Sequence, residues 1–94
     1  MTYRYPTDYL VKPIVNLNGT SREALIDQQQ DVIRAADAMF KAMVNAMPHP
    51  RDYQLQGPGT YEAARNAYLA RVDLLTKIRA EIEQYALDIA TEVR

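Results

Sequence analysis

The chain has 94 residues, with eleven basic and twelve acidic side chains and a formal charge of −1. It is therefore one domain at most, and it lacks the excess positive charge that gripping a nucleic-acid backbone requires. Cysteine is absent, which excludes disulfides, thiolate zinc sites and a cysteine nucleophile.

Met1 is not followed by a basic segment and an apolar run, and no apolar stretch approaches the roughly 20 residues of a membrane helix. The expectation is a soluble, unexported, cytoplasmic chain with no membrane partner. Residues 1–19 read as an extended arm ending in a turn. Pro6 and Pro13 each remove a backbone donor and bias their neighbours away from helix. Residues 14–17 have the composition of a short strand but no second strand to pair with, so packed coil is expected. Tyr3, Tyr5 and Tyr9 mark the arm as a segment that docks on a surface, its own or another subunit's.

The first helix is expected over 20–47, with Thr20 or Ser21 as its cap. Pro48-His49-Pro50 stops it. Its apolar face is wide: Leu25, Val32, Ala36, Met39 and Met43 form one line, and Ile26, Ile33, Phe40 and Val44 form a second beside it. A loop over 48–59 leads to a second helix over 60–93, for which Thr60 offers a cap. Tyr61, Ala64, Tyr68, Leu75, Ile78 and Ile82 lie on one face of it, interrupted by Arg71. Each face is too wide for a single partner helix. The expected fold is all-α: an antiparallel two-helix hairpin with an extended arm, assembling into an oligomeric helical bundle.

Two glycine-containing segments, each running into a helix, carry the chemistry. In the first, Asn18-Gly19-Thr20-Ser21-Arg22, turn and cap chemistry accounts for the residues without a ligand. The alternative is an anion site built from first-turn N–H groups, the two hydroxyls and the Arg22 guanidinium. The second segment is longer than a helical connection needs. It offers Arg51, Tyr53, Gln54, Gln56, Gly57, Thr60 and Tyr61, with Arg65 one turn into the helix. Its polar groups either bond one another or form a binding loop, in which Tyr53 or Tyr61 stacks a planar ring, the glutamines read amide-like edges and the arginines face phosphates.

A hairpin puts the two segments at opposite ends of one chain, so they meet only if two hairpins pack head to tail. No catalytic residue, metal ligand or cofactor is expected. His49 reads as a loop residue or a cation at a helix end, and Glu81, Glu83 and Asp88 as a solvated helix face. The methionines at 39, 43 and 47 read as core filling.

Pro13-Ile14-Val15-Asn16-Leu17-Asn18-Gly19-Thr20-Ser21-Arg22-Glu23, followed by Arg51-Asp52-Tyr53, Gln56-Gly57-Pro58-Gly59 and Glu62-Ala63-Ala64, resembles a family of small tailed-phage and prophage proteins. The resemblance spans nearly the whole chain. The family's first motif typically begins with a histidine, which Asn16 replaces here. No activity is assigned to the family as a whole, so the resemblance implies a phage setting inside a host cell. By analogy of size and context it adds one expectation: a sponge that sequesters a nucleotide messenger of bacterial immunity.

These readings combine into an expected non-enzymatic, homo-oligomeric protein that sequesters a phosphate-bearing nucleotide-type signal. The competing expectation is a phage structural or host-takeover module that binds a protein. An enzyme using Asp52 as a water-activating carboxylate ranks third.

Overall fold

The computed structural model describes residues 11–92, so the arm tyrosines Tyr3, Tyr5 and Tyr9, with Pro6 and Val93, lie outside the described residues. Helix α1 spans Arg22–Asn45, a 3-10 helix spans Pro50–Tyr53, and α2 spans Thr60–Ala90. There is no strand among the described residues, and 14–17 is coil.

Local chemistry sets each boundary. Of the two candidate caps, Ser21 is the one used: its backbone is extended and its Oγ accepts from the Ala24 N–H at 3.2 Å. Helix α1 ends at Asn45, two residues short of the expected end. The Ala46 N–H closes the last turn on the carbonyls of Ala42 and Met43, and Pro48 has no N–H to continue the ladder.

The expectation for Thr60 is corrected. The cap position of α2 is Gly59, in the left-handed region at φ 82°, and it makes no side-chain cap bond. The left-handed turn points the Thr60 hydroxyl backward, where it donates to the Gly57 carbonyl at 2.7 Å. The Gly59 carbonyl accepts from Ala63 at 3.0 Å and starts the helical ladder.

The helices run antiparallel. Asp37 meets Arg79 midway and Arg22 meets Glu92 at the end, which fixes their register. At about 1.5 Å per residue α2 is roughly 10 Å longer than α1, and its surplus first turns pack against the 3-10 helix. Residues 12–15 lie along the last turns of α2, where Lys12 pairs with Asp88 and the Val15 N–H donates to the Glu92 carboxylate at 3.3 Å. The expected coil is found, but its packing is confined to this contact, since Ile14 and Leu17 are exposed.

Very little core results. Ala36, Ala86 and Ile89 are the buried residues among those described, and two of the three are alanines at the helix contact. The molecule measures 62 × 26 × 18 Å with a radius of gyration of 18.6 Å, where a compact chain of this length has about 12 Å. Its accessible surface is 7524 Å², against about 5,500 Å² for a compact monomer of the same mass. No helix is long and apolar enough to cross a membrane among the described residues.

Candidate functional site

The Asn18–Arg22 segment sits where α1 begins and α2 ends. Asn16 organises the turn: its Oδ1 accepts from the Asn18 N–H at 3.0 Å, its carbonyl accepts from the Gly19 N–H at 3.2 Å, and its Nδ2 donates to the Ile14 carbonyl. This is side-chain turn chemistry that a short amide supplies. Behind the turn lies an open cleft of about 460 Å³, walled by Val15, Leu17, Gly19, Ser21, Arg22 and Glu23.

Arg22 crosses to α2. Its Nη2 donates to the Glu92 backbone carbonyl at 3.1 Å and lies 3.9 Å from the Glu92 carboxylate. A guanidinium there satisfies a carbonyl just past the helix end and complements the negative end of the dipole. Its Nε is shielded from solvent and has no acceptor. In the single chain, Arg22 and Ser21 thus serve the two helix ends.

The second segment sits at the opposite end, and its backbone is ordered. His49 Nδ1 accepts from the Arg51 N–H at 3.2 Å and caps the 3-10 helix, with Pro50 at its first position. The Asp52 N–H then bonds the His49 carbonyl, and the Gln56 N–H bonds that of Tyr53. Tyr53 and Tyr61 face each other with ring centroids 6.2 Å apart and planes tilted by 56°, which ties the loop to α2. The side chains differ from the backbone in this respect. Arg51, Gln54, Gln56 and Arg65 are exposed and make no side-chain hydrogen bond or ion pair among the described residues. The loop is held by backbone bonds and tyrosines, while its amides and guanidiniums stay free to meet a ligand.

Within one chain the two groups are not brought together. Asn18, Gly19, Thr20, Ser21 and Arg22 occupy one end of the rod, and Arg51, Tyr53, Gln54, Gln56, Gly57, Thr60, Tyr61 and Arg65 the other.

Charged groups along the rod fall into two networks that sequence reasoning did not assign. Midway, Arg79 donates to Asp37 at 2.6 Å and to Glu83 at 2.8 Å. Hydrogen bonding from Arg79, reinforced by its charge, holds the Asp37 carboxyl below its ordinary range. Near the end of α2, hydrogen bonds from Lys12 and then Gln84 lower Asp88 in the same way. The Arg79–Glu83 spacing of four was visible in the sequence; Asp37 and Lys12 were not, because they arrive from distant segments. Glu83 and Asp88 are therefore paired rather than merely solvated, and one oxygen of Glu81, Oε2, is shielded from water without a hydrogen bond.

Comparison with family models, curated proteins and solved structures returns no match.

Proposed function

We propose that this chain is a non-enzymatic binding protein that works as a homo-oligomer of hairpins. In this reading it holds a phosphate-bearing, nucleotide-type signal where the Asn18–Arg22 turn of one subunit approaches the Arg51–Arg65 region of another. The observation that carries it is the large apolar surface left open by a hairpin whose buried residues are Ala36, Ala86 and Ile89. Such a surface calls for a partner. The ligand class is supported by the loop, where an ordered backbone presents two uncommitted guanidiniums, two free amides and a tyrosine pair.

Calorimetry of the purified protein against cyclic dinucleotides and ADP-ribose derivatives tests the ligand, with light scattering on the same sample. Heat of binding from an oligomer is the expected result. Uniform absence of heat, with no nucleotide carried through purification, removes the sequestration reading.

A second reading is a protein-interaction module in a phage structure or in host takeover. Leu17 and Leu55 favour it: they stand at opposite ends with 103% and 102% exposure, as anchors for a protein partner would. Pull-down from infected cells separates the two, because sequestration of a small molecule needs no stable foreign protein.

A further inference from the structure

Large exposed apolar side chains lie on both faces of the rod, and the faces differ in the charges set among them. At about 100° per residue, Val32, Met39 and Ala46 lie about 60–100° to one side of the line along which α1 faces α2. On α2, Leu74, Ile78, Arg71 and Glu81 are displaced by about 40–120° in the same rotational sense. Because the helices are antiparallel, equal displacements bring both stripes onto one face of the hairpin. Met39 and Leu74 are 54% and 58% exposed there, and Val32 and Ile78 lie beside them. The opposite face shows Phe40, Val44, Leu69 and Leu87 to a similar extent, but the Asp37–Arg79–Glu83 network runs across it.

Two charges punctuate the apolar face. Arg71 is exposed and makes no ion pair among the described residues, and Glu81 has its shielded, unpartnered Oε2. They are too far apart along α2 to meet within one chain, about 15 Å at 1.5 Å per residue. The covered Oε2 is closed to a partner as well as to water, but the other oxygen of the same carboxylate is open, and a guanidinium brought to it from outside offsets the cost of the covered one.

We infer that this face binds a second copy of the chain, antiparallel about a two-fold axis at the level of Met39, with Arg71 of each copy paired to Glu81 of the other. The charges select the axis. Position 76 lies midway between Arg71 and Glu81, and it stands level with Met39 because Asp37 meets Arg79 and Phe40 lies beside Leu75 and Thr76. The same axis sets Met39 against its own copy, Val32 against Ala46 and Leu74 against Ile78, so apolar meets apolar along the length of the face. A parallel pair would instead oppose Arg71 to residues about ten positions from Glu81, and both charges would stay unanswered.

Area fits as well. The broad face of a rod measuring 62 × 26 Å across is large enough for the roughly 800 Å² per partner that a standard stable interface covers.

This arrangement deepens the reading proposed above and rests on its oligomeric state. It carries the Asn18–Ser21 turn of each copy to the level of the other's Gln56–Gly59 loop, which makes two identical composite sites.

The chain contains no cysteine, so a single introduced one reports cleanly. Met39→Cys is expected to cross-link to its own copy on mild oxidation, while Lys41→Cys on the far side stays uncross-linked. Arg71→Glu is expected to weaken self-association about tenfold or more with the helical circular dichroism signal unchanged. Combining it with Glu81→Arg is expected to restore the dimer.

A wild-type monomer in sedimentation overturns both this dimer and the oligomeric reading. An oligomer in which Met39→Cys does not cross-link, or in which the double reversal is no better than Arg71→Glu, overturns this pairing and leaves the oligomeric reading standing.

Discussion

The two glycines that flank Pro58 do different work, and substitution separates them. Gly59 has φ 82°, where a Cβ crowds the following carbonyl, although nothing else lies within 4 Å. Gly59→Ala is therefore expected to cost about 1 kcal/mol, read as a lowered urea midpoint. Gly57 has ordinary backbone geometry and open space around its Cα, so Gly57→Ala is expected to leave the midpoint unchanged or raise it slightly.

Arg22 gives a third measurement at this scale. Removing its guanidinium strips the Glu92 carbonyl of a charge-assisted donor. The side chain is 38% exposed, so solvent screening limits the loss in Arg22→Ala to about 1 kcal/mol.

The depressed carboxyls predict a pH dependence with a definite sign. Asp37 and Asp88 are lowered, chiefly by hydrogen bonds from Arg79 and Lys12. Their stabilisation is complete above the unfolded aspartate value of about 3.9 and is lost as pH falls through the lower folded values. Melting temperature should fall between about pH 5 and about pH 2. Arg79→Gln should flatten the part of that fall due to Asp37.

At the scale of elements, the helices were readable because proline, glycine and hydroxyl residues punctuate them strongly. Pro48 and Pro50 follow closely on the stop of α1, and Ser21 sits where an apolar period begins. The sequence did not distinguish Ser21 from Thr20, or Thr60 from Gly59, because a cap is decided by one residue's backbone angles and not by its composition. Nor did it disclose the 3-10 helix, which depends on His49 turning its Nδ1 back to the Arg51 N–H. Arg22 was legible as a cation near a helix start. That it serves the other helix's end follows from the antiparallel register, a long-range fact. The Tyr53–Tyr61 contact closes the loop onto α2, and Tyr53→Ala should lower stability by about 1 kcal/mol, mainly by loosening residues 50–56 in hydrogen exchange.

At the scale of the whole molecule, the hairpin leaves much of its apolar surface open. Only Ala36, Ala86 and Ile89 are buried among the described residues, which makes a thin seam between the two helices. In the proposed oligomer, surface that the single chain leaves open adds to that seam. Stability drawn from association carries a thermodynamic signature: mass action links folding to concentration, and the melting temperature becomes a function of how much protein is present. For a dimer of chains this size, each tenfold rise in concentration should raise it by about 3–5 °C. Met39→Asp, which puts a charge on the apolar face without touching the α1–α2 seam, should abolish that slope and lower the melting temperature at every concentration. A wild-type melting temperature that does not move with concentration, read by circular dichroism over two decades of dilution, would mean that the hairpin folds and stands alone.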